Sequence, residues 1–112
     1  MVSEKISVGF IGAGGIAKAH AYALNSLKFF YSETPEIVLE AVCSSRPESR
    51  DAFAAQYGFK KSLSTDEFAA DSAINTVFIL GPNNVHFEHL KLALEMPVVK
   101  RIYLEKPVCS NL

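Results

Sequence analysis

Short apolar runs alternate along the chain with segments whose apolar residues recur at helical spacing, which predicts an α/β domain. Ile6 to Ile11 places Ile, Val, Phe and Ile with only small residues between them, the pattern of a strand buried on both faces. The run breaks at Gly12. A helix is predicted from about Gly15 to Leu27, with Ile16, Ala17, Ala21, Leu24 and Leu27 available to face a core. Lys28 to Glu36 reads as a loop ending in Thr34-Pro35, and Ile37 to Cys43 as the second strand.

Ser45 and Glu48 have the spacing of a capping box, so a second helix is predicted to open near Ser45. Ala52, Phe53 and Tyr57 give it an apolar side, and Gly58 a C-terminal cap. Ser64 and Glu67 repeat the spacing ahead of a short helix through Ala70, with Lys60 to Leu63 as a brief edge strand between the two helices. Thr76 to Leu80 is a continuous β-rich run that breaks at Gly81-Pro82-Asn83-Asn84. The next helix runs from about Val85 to Glu95, with Phe87, Leu90 and Leu94 at helical spacing. Arg101 to Glu105 is the last strand, stopped by Pro107. Such alternation implies a parallel sheet wound with helices on both faces.

Composition narrows what this domain does. At 112 residues the chain holds one domain, and 49% hydrophobic with 21% charged residues is ordinary for a soluble globular protein. A net charge of −1, with no basic cluster, argues against nucleic acid or anionic membranes as partners. No apolar run approaches the roughly 20 residues of a membrane span. Ile6 to Ala17 could pass for a secretory leader, but Glu4 spoils the basic start and four of those twelve residues are glycine. The two cysteines, Cys43 and Cys109, sit among small and aliphatic neighbours and read as buried free thiols, which fits a reducing, cytoplasmic setting. No metal-ligand spacing connects the histidines, and His20 and His89 read as surface or packing residues.

The candidate chemistry begins at the first strand end. Gly12-Ala13-Gly14-Gly15-Ile16-Ala17, between a strand and a helix, matches the G-x-G-x-x-G/A turn of a dinucleotide-binding Rossmann unit. Gly12 permits the tight turn, Gly14 lets the backbone approach a pyrophosphate, and Ala17 lets helix and strand pack closely. The helix N-terminus offers free N–H groups and positive potential to the phosphates. At the second strand end, where NAD binders usually carry an acid, stands Cys43-Ser44-Ser45-Arg46. Two hydroxyls and a guanidinium suit a 2′-phosphate, so the reading favours NADP over NAD.

Two further patterns fall at strand ends: Gly81-Pro82-Asn83-Asn84-Val85-His86, a P-N-x-x-H pattern, and Glu105-Lys106-Pro107. With the glycine turn, Ala41-Val42-Cys43-Ser44 and the Phe53…Tyr57-Gly58 helix ending, the chain resembles along its whole length the glucose–fructose oxidoreductase and inositol dehydrogenase family of NAD(P)-dependent oxidoreductases. The resemblance implies that Gly81, Pro82 and Asn83 lie beside the nicotinamide half of the cofactor, with His86 bracing that loop. It places Glu105 and Lys106 in the nicotinamide-side pocket. Lys106, the one candidate catalytic residue, would hydrogen-bond the substrate oxygen at the carbon that exchanges hydride. It also makes the Lys106–Pro107 bond a candidate cis peptide.

The family implies an enzyme moving hydride between NAD(P) and a secondary alcohol or its ketone, in a sugar, polyol or related carbohydrate. Residues 1–112 would be its cofactor domain, truncated at the C-terminus, without the second, substrate-selecting domain and inactive alone. The full-length protein is expected to be a homo-oligomer. Two other readings stay open: a non-catalytic NAD(P)-binding regulator or sensor of the same fold, and a domain that keeps the fold without a dinucleotide. The chain departs from the family at Gly81, where threonine is common, and at Asn75, where an acid is usual. The Leu94 to Glu105 link is also longer and lacks the common glycine.

Overall fold

In a computed structural model of the protein, backbone is described for residues 5–30, 36–81 and 86–104, and side chains for 5–26, 36–81 and 87–104. Among the described residues five strands and four helices alternate: β1 (Ile6–Ile11), α1 (Gly15–Phe30), β2 (Ile37–Cys43), α2 (Pro47–Tyr57), β3 (Lys61–Leu63), α3 (Thr65–Ala69), β4 (Thr76–Ile79), α4 (His86–Leu94) and β5 (Arg101–Leu104). The sheet order is β3-β2-β1-β4-β5, and every pairing is parallel. This is a doubly wound parallel sheet of the Rossmann type, as predicted from the sequence, and its strand order shows the direction of winding reversing between β1 and β4.

Side-chain alternation along β1 divides the core. Val8 and Phe10 join Ala17, Ala21, Phe53 and Phe59 on the side covered by α1 and α2. Ile11 joins Phe68, Ile74, Val77, Ile79 and Ala93 on the side covered by α3 and α4. Phe10 is fully buried, with ring centroids 5.0 Å from Phe59 and 5.3 Å from Phe78. Ala17 has no exposed surface, so α1 rests directly on the sheet as its small side chain requires.

Asn75, one of the departures, buckles three strands together. Its side-chain oxygen accepts from the Ser7 N–H at 3.0 Å, and its Nδ2 donates to the Lys5 carbonyl at 2.9 Å. Its own carbonyl accepts from Lys100 N–H at 2.8 Å, at the entry to β5. An ionised aspartate could only accept, and would leave the Lys5 carbonyl without its donor. The β1–β2 register shifts between Val8 and Gly9, passing over Glu40. Glu40 is buried and paired with Lys61 Nζ at 2.8 Å, which also holds Asp71 at 2.8 Å. Hydrogen bonds to Asp71 and Glu40 raise the Lys61 pKa above the ordinary lysine value of 10.5.

Several local expectations are corrected. α1 continues past Leu27 to Phe30, because Lys28-Phe29-Phe30 contains no helix breaker and Pro35 lies further on. α2 opens at Pro47 rather than near Ser45, with Arg46 as N-cap at φ −109° and ψ 106° and no side-chain cap bond. Proline fixes the first helical residue and drives the one before it into extended backbone, which overrides the Ser45–Glu48 spacing. Gly58 does cap α2 in the left-handed conformation, φ 81°. The second capping box forms as predicted, with Ser64 N–H donating to Glu67 Oε1 at 2.9 Å. Ala52 is exposed, because Phe53, Ala54 and Tyr57 take the inward face of α2.

The inward face of α4 differs in part from the predicted one: Leu90 packs against the core as expected, and its two predicted companions do not. Phe87 and Leu94 are exposed at 78% and 68%, whereas Ala93 is buried along with Met96 just beyond the helix. The 89–93–96 stripe has the same helical spacing as 87–90–94, and a small alanine is what lets α4 approach the sheet. The capping end at Gly81 lies within the described residues. Pro82, Asn83, Glu105, Lys106, Pro107 and Cys109 lie outside them, as does the side chain of His86, which begins α4. The Lys106–Pro107 bond therefore lies outside them as well.

Candidate functional site

The site forms where the winding reverses. The carboxyl ends of β1 and β4 diverge there, with Leu80 N–H donating to the Ile11 carbonyl at 2.9 Å just before they part. Gly12 leaves β1 at φ 123°, a backbone conformation open to glycine and little else. A Cβ on Gly12 would lie 2.8 Å from the Leu80 carbonyl carbon and 3.0 Å from Gly81 N. The Gly12 N–H donates to the Cys43 carbonyl at 2.8 Å, which fixes the turn against β2. Both demands come from the fold. Gly12→Ala therefore costs about 3 kcal/mol of stability, from the strained φ and the backbone contact together. Urea unfolding checks this, and a loss under about 1 kcal/mol would contradict the geometry.

Gly14 is different. A Cβ there meets nothing within 4 Å, and its φ is not in the left-handed region. The same open space surrounds Gly15, and both residues are exposed. The fold does not require glycine at either place. They open α1, whose first intrahelical bond runs from Lys18 N–H to the Gly14 carbonyl at 3.1 Å. The N–H groups of the preceding residues point out of the helix end, and no acidic residue stands in the first turn to repel an anion.

A cleft of about 540 Å³ opens over this turn. It is lined by Gly12, Gly14, Gly15 and Ile16 at the glycine turn, by Ser44 and Ser45 after β2, and by Gly81 after β4. These predicted site residues are thus brought together. Its size falls within the roughly 300–1,000 Å³ of small-molecule sites. Ile16, expected to face the core, is 45% exposed and lines the cleft, because the first turn of α1 stands over the glycine backbone rather than the sheet. Ala17 packs beneath it.

The second strand end is arranged in detail. Ser44 Oγ accepts from Arg46 N–H at 3.2 Å, so this hydroxyl closes its own turn. Ser45 and Arg46 are exposed, Ser45 at the cleft wall and Arg46 at the N-cap of α2 beside it. Among the described residues no carboxylate lines the cleft. Among the lining residues that sequence reasoning did not place in the site are Cys43, Thr65 and His89. The Ser64–Glu67 capping box was the available signal for Thr65, since it sets the start of α3 beside the end of β3. His89 had no signal, because only the true inward face of α4 reveals it. Burial pushes the Cys43 thiol up, against the opposing Thr65 hydrogen bond and the Arg50 charge, which keeps it a neutral wall. His20 is a packing residue, its ring 5.6 Å from that of Phe78.

A bound dinucleotide fits these residues. The helix end and the unencumbered Gly14 would take the pyrophosphate, and Ser45 and Arg46 the adenosine ribose. Among the described residues no group of three His, Cys, Asp or Glu side chains could hold a metal ion, and no helix is long and apolar enough to cross a membrane.

Comparison with known proteins agrees with that geometry. Residues 6–112 match the family described as an oxidoreductase family with an NAD-binding Rossmann fold. Levoglucosan dehydrogenase of Pseudarthrobacter phenanthrenivorans is 32% identical over 110 residues, which is 96% of this chain and 28% of that protein. D-glucoside 3-dehydrogenase of Escherichia coli is 34% identical over 110 residues, again 96% of this chain and 28% of the relative. Among solved structures, levoglucosan dehydrogenase in complex with NADH and levoglucosan superposes with a TM-score of 0.83 at 31% identity, covering 93% of this chain and 28% of that one. The chain thus spans under a third of the length of these relatives.

Proposed function

The chain belongs to the NAD-binding Rossmann family of oxidoreductases that includes the glucose–fructose oxidoreductases and inositol dehydrogenases, and from that premise we propose a specific activity. The intact protein transfers hydride between a nicotinamide dinucleotide and a secondary alcohol or ketone of a sugar or polyol. The observation that carries the cofactor half is Gly14, where glycine is unexplained by the fold and opens a helix end on a cleft. The substrate class is supported by the sugar dehydrogenases among the relatives.

Each residue has a task on this reading. The α1 N-terminus binds the pyrophosphate, and Gly81 with Pro82 and Asn83 flanks the nicotinamide half, with His86 bracing the loop. Glu105 and Lys106 line the pocket beyond it. When bound, the nicotinamide ring accepts or donates the hydride. Lys106 holds the substrate oxygen through its ammonium, which stabilises the alkoxide character that develops there. The buried Cys43 thiol is in keeping with a reducing, cytoplasmic setting.

The finer cofactor assignment is NADP over NAD. Its support is the β2 end, Cys43-Ser44-Ser45-Arg46, which carries no acid and where the turn's hydrogen bonds take the backbone of Arg46 and leave the exposed Ser45 and Arg46 side chains beside the cleft. Parallel fluorescence titrations of the intact protein with NADPH and NADH test both levels. Saturable binding of both, with NADPH tighter by about tenfold, is expected for one charge-assisted phosphate contact. Tighter NADH removes the NADP assignment alone. Saturable binding of neither overturns the cofactor site.

A further inference from the structure

Two arginines stand near the β2 end, and they are not equivalent. Arg46 is exposed at the α2 N-cap. Arg50, one turn further along α2, is half-buried and already committed. Its Nε donates to Ser62 Oγ at 3.2 Å, and its Nη1 donates to the Ser44 carbonyl at 3.0 Å. Ser62, on β3, passes the chain on by donating to Asp51 Oδ1. One guanidinium thus joins α2, β3 and the turn after β2.

The Ser44 carbonyl needs such a donor. The β1–β2 ladder ends at Ile11 with Cys43, and the β2–β3 ladder at Cys43 with Leu63. Ser44 is therefore the first residue past both ladders, and no strand amide reaches its carbonyl through either. The Ser44–Arg46 turn is held by the Arg50 guanidinium at the Ser44 carbonyl, by Ser44 Oγ at the Arg46 N–H, by the Arg50 N–H at the Arg46 carbonyl, and by Pro47 at the exit into α2. Loss of the first would loosen the turn at its Ser44 end, where Ser45 and Arg46 are mounted on the strand, and leave its hold at Arg46 in place.

From this we infer that Arg50 is a positioning residue for adenosine-ribose recognition: it acts through the Ser44–Arg46 turn, and Arg46 makes the contact with a 2′-phosphate. The inference rests on the ribose site proposed above. Planarity matters to the role. A guanidinium can bond a carbonyl and a hydroxyl at once from a fixed fork, whereas a lysine ammonium keeps the charge but not the bridge.

A double-mutant cycle on the intact protein tests the role, with NADPH and NADH dissociation constants and the melting temperature read for each variant. Arg50→Met is expected to weaken NADPH about tenfold in the wild-type background, and under about twofold when Arg46 is already alanine. Arg50→Lys should match Arg50→Met, and Ser62→Ala, a milder change at the other end of the bridge, should weaken NADPH about threefold. NADH affinity should move under about threefold throughout. Equal losses from Arg50→Met in both backgrounds would mean that Arg50 acts independently of Arg46, and the inference fails while the ribose site stands. Full NADPH affinity in Arg50→Lys, or equal weakening of NADPH and NADH, would also overturn it. If Arg46→Ala leaves NADPH affinity unchanged, the ribose-site reading itself falls and takes this role with it.

Discussion

Lys106→Met in the intact protein is expected to lower kcat by about a thousandfold, with cofactor affinity changed by less than about threefold. Methionine keeps most of the side chain's length and apolar contact and removes only the ammonium. If Lys106 holds the substrate oxygen, its charge counts most when that oxygen carries alkoxide character, in a site partly cleared of water. The effect then falls on kcat, with a smaller rise in KM. The check is steady-state oxidation of a panel of sugars and polyols with the preferred cofactor, beside cofactor titrations of the same variant. An unchanged kcat removes Lys106 from the chemistry. A wild-type protein that binds cofactor yet turns over none of the panel, with the fold intact, favours the regulatory reading instead.

How far the sequence carried this account depended on how local each signal was. The bounds of β1 and the turn at Gly12 were legible because glycine content and a buried apolar run leave few alternatives. The Ser64–Glu67 box was legible because both halves of the motif lie within one helical turn and nothing competes with them. The same spacing at Ser45 failed because Pro47 imposes a stronger local constraint. The inward face of α4 was illegible for a different reason. Two stripes had equal spacing, and the more buried one carries His89 and a small alanine within the helix, with Met96 beyond its end, whereas Phe87 and Leu94 of the other are exposed and only its Leu90 packs on the core. Arg50 could not have been found from the sequence at all, since its partners Ser44 and Ser62 are brought to it only when β2 and β3 pair.

The glycine turn shows the same division within a few residues. Sequence reasoning gave Gly12 and Gly14 complementary roles, and the structure separates them by what each would meet. Gly12 is required by the chain's own backbone. Gly14 is surrounded by open space, on the cleft side of a helix N-terminus. Valine at Gly14 therefore costs the fold under about 1 kcal/mol, chiefly through a poorer N-cap. Its two methyl groups would stand where a pyrophosphate must approach the backbone, displacing the phosphates from the N–H groups and the helix dipole. The expected loss is at least about a hundredfold in affinity for NADPH and NADH alike, since both share the pyrophosphate.

That makes one comparison decisive for the central claim that this cleft is a dinucleotide site. The measurement is titration of wild type and Gly14→Val with NADPH and NADH, alongside circular dichroism melting of both proteins. The account predicts nearly coincident melting curves and a hundredfold or greater loss of both cofactors, about 3 kcal/mol of binding free energy. Undiminished binding by a folded Gly14→Val protein would contradict it.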